Sequence, residues 1–250
     1  VKVAIIGGSG LETLLQGREM TVNTPYGEVQ LIETTIGKEE LFFIPRHGKG
    51  HVLPPHKVNF RANIKALQLL NVERIIGVSA VGIISKEELK PGDLVVIDDF
   101  VDFTKARAQT FYDGPTVRHV DMTQPYCPEV RSALIRACEA LNVRFSPRGV
   151  YACTEGPRLE TPAEIRMMRA LKCDVVGMSG IPEAVLAREL GICYAMLCIC
   201  TNYAAGLQDR LTFREVLEVM RGKSMEAKRV ILESLKFIPK EKGCSCSKYE

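Results

Sequence analysis

Residues 193–201 read CYAMLCICT, a run with no charged side chain. Such a run has no polar face to give to water, so as a strand it must be covered on both sides. Similar β-rich runs recur along the chain: Val1 to Ile6, VQLIETTI (29–36), LFFIP (41–45), RIIGVSAVG (74–82), DLVVIDDFV (93–101), GVYACTEG (149–156) and CDVVGM (173–178). Helical signals fall between them. Asn59 to Leu70 places Phe60, Ile64 and Leu67 on one face, and Thr161 with Glu164 spells a capping box with Pro162 at the first helical position. Pro182 opens another helix, and Thr212 with Glu215 repeats the box ahead of a long final one. The alternation predicts an α/β fold, a mixed twisted sheet sandwiched between helical layers. No linker, repeat or low-complexity segment divides it, so the expectation is one domain over 1–250.

Charge narrows the ligand. The 33 basic residues stand against 30 acidic ones, a formal net charge of +3. That balance is too even for a protein whose affinity comes from neutralising many phosphates of a nucleic acid. Any bound anion is expected to be small. No apolar run is long enough to span a membrane and no secretory pattern opens the sequence, so the expected location is cytoplasmic, with neither membrane nor nucleic acid as partner. Among nine cysteines, Cys138, Cys193, Cys198 and Cys200 sit in apolar runs, lack zinc-site spacing and read as packing. Cys244 and Cys246 in KGCSCSKYE are read as lying outside any core. Two readings stand for them: a redox or cross-linking pair, or two exposed thiols without consequence.

The motifs that carry chemistry cluster where strands end, the place at which ligands bind in such sheets. AIIGGSG fails the dinucleotide fingerprint because Thr13 stands where a small residue is required; it is left as either a plain turn or an oxyanion loop that includes Ser9. RHGKGH (46–51) sets a guanidinium beside an imidazole after a strand, donors that suit phosphate. GVSAVG (77–82) cannot be a serine nucleophile elbow, since Val81 follows Ser79 at the position that must be glycine, and an oxyanion cradle fits it better. In EGPRLETPAE, Glu164 is explained by capping whereas Glu160 is not, which leaves its carboxylate for a ligand. Ser179 lies near a positive helix end, Met178 reads as filler or contact, and the amide of Asn202 closes the long apolar strand.

Taken in order, IIGGSG, PRHG, SAVG, EGPRLETPAE, GMSGIPEAVLARE and TNYAAG resemble the trimeric purine nucleoside phosphorylases, closest to their 5′-methylthioadenosine phosphorylase branch. TPYG, PPHKVNFRANIKAL, KPGDLVVIDDFVDFT, FYDG and QPYCPEVR look like that branch too, so the resemblance covers essentially the whole chain, and the cysteine-rich tail is similar to that of archaeal members. It implies the nucleoside phosphorylase fold, a partly barrel-like sheet, and phosphorolysis with orthophosphate as co-substrate and no cofactor or metal. Carried over by motif, phosphate would meet Ser9, Arg46, His47, Ser79, the Ala80 amide and Ser179. Met178 would pack on the ribosyl ring, His51 and His119 would lie near its 5′ end, and Glu160, Asn202, Tyr203 and Ala204 would surround the base. Asn202 and Glu160 would be the catalytic pair, stabilising the departing purine. The resemblance also implies a homotrimer or a hexamer made of two trimers, with each site completed by a neighbour to which His119 would belong.

One departure bears on the substrate. The methylthioadenosine branch carries aspartates in a TDYD segment, where this chain has TNYA, and a small hydroxyl residue where this chain has Glu160. A glutamate accepts from the N1–H of a 6-oxopurine and an asparagine donates toward O6 or N7, whereas a 6-aminopurine would present a bare N1 to the same glutamate. Mismatched buried polar groups cost on the order of 1–3 kcal/mol each. The expectation is therefore cleavage of inosine, guanosine or 5′-methylthioinosine for purine salvage. The alternative is a methylthioadenosine phosphorylase in methionine salvage; a non-catalytic nucleotide-binding domain and a hydrolytic nucleosidase are readings of other classes.

Overall fold

The computed structural model of the chain describes residues 1–8, 11, 15–37, 39–85, 87–210 and 212–247. Its organising strand is β5 (Arg74–Ile83). Along one edge β5 pairs in parallel with β11 (Cys193–Tyr203), the predicted apolar run extended by two residues. Its other edge is shared. β1 (Val3–Gly7) runs parallel to the first half, as far as Gly77, and β10 (Val175–Gly177) pairs antiparallel with Gly82 and Ile83 at the far end. From β1 the sheet continues through β4 (Glu39–Pro45) and β3 (Gly27–Ile36) to β2 (Arg18–Thr24). From β10 it continues through β9 (Val150–Thr154) to β7 (Asp99–Phe103), while β6 (Leu94–Val96) and the short β8 (Phe145–Ser146) extend it beyond β11.

Strand alternation divides the core into two layers. On β1, Ala4 and Ile6 face one cluster and Val3 and Ile5 the other; on β11, Tyr194, Met196, Cys198 and Cys200 face the first while Cys193, Ala195, Leu197 and Ile199 face the second. Helices α1 (Phe60–Leu69) and α4 (Glu183–Glu189) cover the first layer, with Phe60, Ile64 and Leu67 buried as their spacing predicts. Helices α2 (Pro128–Ala140) and α5 (Phe213–Ser234) cover the second, and α3 (Pro162–Ala170) closes a smaller cluster over β9 and β10. The three-layer α/β arrangement is the expected one.

Local differences have local causes. DLVVIDDFV is two strands rather than one, because the chain leaves β6 at Ile97, whose amide bonds Met196 O, and passes Asp98, whose carboxylate takes the Gly149 amide, before β7 joins β9. The sequence expectations include neither β2, which buries no residue fully, nor α2, whose Val130, Leu134 and Ala137 do carry helical spacing. Cys244 and Cys246 are buried in the second layer, against the expectation that no core would hold them: the tail returns to α2, where the Gly243 amide bonds Glu129 Oε1 at 2.6 Å.

Both predicted capping boxes form. Thr212 accepts from the Glu215 amide, and Glu215 reaches back to the Thr212 amide at 2.9 Å. Thr212→Ala is expected to lower stability by about 1 kcal/mol, read from the midpoint of denaturant unfolding at unchanged slope.

Candidate active site

Between Gly77, where β1 stops, and Gly82, where β10 begins, this edge of β5 has no ladder partner among the described residues. A cavity of about 410 Å³ opens there, within the size range of small-ligand sites. Its walls come from strand ends. Ser79, Ala80, Val81 and Gly82 are on β5, Gly8 follows β1, Met178 and Ser179 follow β10, and Asn202 lies near the end of β11. His47, His51 and Glu160 reach it from loops.

Arg46 is fixed beneath the cavity. Its guanidinium is fully buried and forms a fork with Glu183, Nε to Oε1 at 2.5 Å and Nη2 to Oε2 at 3.0 Å. Nη1 donates to Val78 O at 2.8 Å and Nη2 to Ile6 O at 3.2 Å. Four of its five N–H groups are thus used, and only one on Nη1, beside Gly8, remains for an anion. Burial works against the Arg46 cation, but Glu183 outweighs it and holds the guanidinium charged. Tyr194 donates to Glu183 Oε2 at 2.8 Å, and Gly77 is where a side chain would collide with that hydroxyl. The expected phosphate arginine is therefore first a structural anchor, and Glu183 is the partner that sequence reasoning missed.

Above this anchor, the hydroxyls of Ser79 and Ser179 meet at 2.9 Å. The Ser179 amide donates to Tyr151 Oη at 3.1 Å, and Gly177 leaves the room that this tyrosine occupies. His47 Nδ1 lies 2.8 Å from Leu53 O; a carbonyl only accepts, so this nitrogen carries the proton. The His47 and His51 rings are 4.4 Å apart, and His51 faces Phe213 at 6.2 Å. Exposed Val52, Leu53, Leu159 and Phe213 give the cavity an apolar rim.

The carboxylate and the amide are each braced by a threonine. Thr154 Oγ1 donates to Glu160 Oε1 at 2.6 Å. Burial raises the Glu160 pKa, and the Thr154 hydrogen bond opposes that rise. At β11 the pairing slips between Cys200 and Asn202, a bulge that turns Asn202 toward the cavity. Thr201 Oγ1 donates to Asn202 Oδ1 at 2.7 Å, and Asn202 Nδ2 donates to Tyr203 O at 2.8 Å. One amide hydrogen and one acceptor site of Asn202 stay available.

Two expected residues fall elsewhere. Tyr203 is exposed and does not line the cavity, because strand alternation points it away from the side that Asn202 faces; its carbonyl is what serves the site. His119 is exposed and outside the cavity of its own chain. Ser9 lies outside the described residues. Arg107, which no motif flagged, ties two walls together: it donates to Thr154 O, Glu155 O, Met178 O and Ile181 O at 2.6–3.1 Å and stacks over Phe60.

A cavity of this size at the split of a mixed sheet, bordered by paired hydroxyls, two imidazoles, a carboxylate and a primary amide, is that of an α/β enzyme for a small polar ligand of nucleoside dimensions. Residues 2–236 match the family described as the Phosphorylase superfamily. The chain is 53 % identical to the 6-oxopurine nucleoside phosphorylase of Pyrococcus furiosus, over 98 % of this chain and 96 % of that protein. It is 50 % identical to a probable S-methyl-5′-thioinosine phosphorylase of Methanopyrus kandleri at the same coverage. Among solved structures, the methylthioadenosine phosphorylase of Schistosoma mansoni in complex with adenine superposes with a TM-score of 0.91 at 33 % identity, over 97 % of this chain and 93 % of that one. The chain belongs to the phosphorylase superfamily and is an enzyme.

Glu183→Ala would leave the Arg46 charge buried without its counter-ion. We expect a loss of about 3–5 kcal/mol of unfolding free energy in denaturant titration, far more than exposed Arg214→Ala, whose partner is Glu218 at the helix surface.

Proposed function

We propose that the protein catalyses reversible, phosphate-dependent cleavage of the N-glycosidic bond of purine nucleosides, with a preference for 6-oxopurines. A phosphate oxygen bonds the anomeric carbon as its bond to N9 breaks; the bonding electrons leave with the purine, which takes up a proton, and ribose 1-phosphate is the other product. Ser79, Ser179, His47, the Ala80 amide and the last free N–H of Arg46 orient the phosphate. Because Glu183 already balances Arg46, most of the phosphate charge is met by neutral donors and by His47. His47 can donate from Nε2 only when its ring is cationic, since Nδ1–H is committed to Leu53 O. Met178 borders the sugar.

The observation that carries the base preference is the pairing of Glu160 with Asn202 around one cavity, each held by a threonine. Ionised Glu160 accepts N1–H, and Asn202 donates to O6 or N7 as negative charge builds on the leaving base. The apolar slot of Val52, Phe213 and Val216 beside His51 favours a 5′-methylthio substituent alongside a 5′-hydroxyl, so 5′-methylthioinosine joins inosine and guanosine as substrate. The relatives' names support this reading. The assembly proposed is a homotrimer or a pair of trimers in the cytoplasm, with His119 reaching the cavity of a neighbouring copy.

A substrate panel tests the reading. Inosine, guanosine and 5′-methylthioinosine are expected to release base only when phosphate is present; release without phosphate makes the enzyme a nucleosidase, and exclusive cleavage of methylthioadenosine overturns the base assignment. Asn202→Asp is expected to shift the kcat/KM ratio toward adenine nucleosides by about ten- to a hundredfold, the equivalent of one or two mismatched hydrogen bonds.

A pH profile supplies an independent check. Burial raises the Glu160 pKa, so the neutral carboxyl persists to higher pH than in a free glutamate. Activity on inosine is expected to fall as pH drops through that raised value, with the acid limb of kcat/KM above the ordinary glutamate range. Glu160→Gln, whose amide still accepts N1–H, is expected to flatten that limb.

A further inference from the structure

β9 and β10 run side by side and pair as far as Cys153 and Gly177. One residue further on, the two strands part around the cavity: Thr154 leads to the loop of Glu160, and Met178 leads to Ser179. The rung that the ladder would make next is supplied by a side chain. Arg107 Nη2 donates to Thr154 O at 3.1 Å and to Met178 O at 2.7 Å, and it also reaches Glu155 O at 3.0 Å, while Nη1 donates to Ile181 O at 2.6 Å. Other hydrogen bonds across the split are weaker, Thr154 Oγ1 to Gly177 O at 3.4 Å and the Cys153 thiol to Ser179 O at 3.6 Å.

Arg107 is itself held. It follows β7, and its side chain is buried. The Glu155 carboxylate accepts from the Lys105 amide at 2.6 Å and lies 3.8 Å from Arg107 Nε, and the ring of Phe60 on α1 lies 5.0 Å from the guanidinium carbon. The guanidinium therefore rides with the β9 side and reaches across to the β10 side. Its planar fork fixes the directions of its N–H groups, so both strand ends are held at hydrogen-bond length from one rigid group. Arg107 does not line the cavity and can act only through the residues it holds.

We propose that Arg107 is a positioning residue that sets the distance between the base-binding and phosphate-binding halves of the site, an inference that rests on the phosphorolysis proposed above. On one side Thr154 holds Glu160; on the other Met178 leads into Ser179, whose amide and hydroxyl are fixed by Tyr151 and Ser79. Each half keeps these bonds without Arg107. What it would lose is its spacing from the other half. The anomeric carbon exchanges its bond to the base for a bond to phosphate, so both groups must be held at one separation, and a misplacement of about 1 Å costs about a hundredfold in rate.

The full-length enzyme and its Arg107→Lys and Arg107→Ala variants provide the test. Lysine keeps the charge but has one nitrogen in place of the fork, so it cannot reproduce the hold on both strand ends. In either variant kcat for inosine with phosphate is expected to fall by about a hundredfold, while the calorimetric Kd values for hypoxanthine alone and for inorganic phosphate alone stay at those of the wild type. Guanidinium ion, added below the concentration that unfolds the wild type, is expected to restore part of the kcat of Arg107→Ala where urea does not. If Arg107→Ala does not fold, Arg107→Lys decides through kcat and the two Kd values. An active wild type whose Arg107→Lys variant keeps its kcat, or loses kcat only in step with weaker binding of both ligands, overturns this inference alone. A wild type that releases no base from purine nucleosides in phosphate overturns the proposed function and this inference with it.

Discussion

Everything in this molecule that concerns chemistry depends on the shared edge of β5. A strand in the middle of a sheet normally spends each edge on one neighbour; here β1 takes the first half of an edge, β10 the end, and the stretch between them is left to a cavity. The opening lies where backbone direction and sheet connectivity change together, the point at which ligands bind in α/β sheets. Leaving ladder groups unpaired inside a protein is costly, and the gap persists because the flanking halves are fixed by other contacts. Glu183 on α4 holds Arg46, Arg46 holds Val78 O and Ile6 O, and Arg107 holds the segments that follow β9 and β10. Arg46 divides its donors between Glu183 and the carbonyls of Val78 and Ile6, whereas Arg107 serves carbonyls at and beyond the ends of β9 and β10.

This arrangement changes what an arginine next to an anion site means. A guanidinium in the sequence PRHG reads as a phosphate ligand because its fork matches an oxyanion. In the fold the fork is occupied by a carboxylate at 2.5–3.0 Å. The charge is balanced before any ligand arrives, so the hydroxyls of Ser79 and Ser179 are not overwhelmed by a fixed cation. Under the proposed function, neutral donors of this kind hold the phosphate without neutralising it, so that it remains nucleophilic.

The legible parts of the sequence were those whose physics is local. Capping boxes at Thr161 and Thr212 need only four consecutive residues, and the apolar run at β11 needs only its own composition. The cavity-lining serines, Glu160 and Asn202 were legible as polar groups in places where a turn or a cap did not explain them. What stayed hidden depends on long-range pairing. Arg46 and Glu183 are 137 residues apart, and Arg107 meets its four carbonyls across spans of 47–74 residues. Tyr203 was misplaced because the bulge at Thr201 and the alternation after it decide which side chain faces the site. The tail cysteines were misplaced for a similar reason, since only the folded chain returns them to Cys127 and Cys193.

Two threonines touch the groups that face the base in the proposed function, Thr154 on Glu160 and Thr201 on Asn202. A buried carboxylate and a buried amide each have more than one way to satisfy themselves, and an amide that rotates by half a turn exchanges donor for acceptor. Tyr203 O, which only accepts, opposes that rotation by taking one Nδ2 hydrogen, and Thr201 Oγ1 donates to Oδ1, so the remaining hydrogen of Nδ2 is presented as a donor. Thr154 on Glu160 favours the ionised carboxylate, offsetting part of the cost of its burial. Asn202 is thus oriented as a donor before any purine enters, and Glu160 is an acceptor once pH is above its raised pKa. Under the proposed function, discrimination between keto and amino forms of a base rests on that arrangement, since a site free to rotate its amide or take up a proton would accept either.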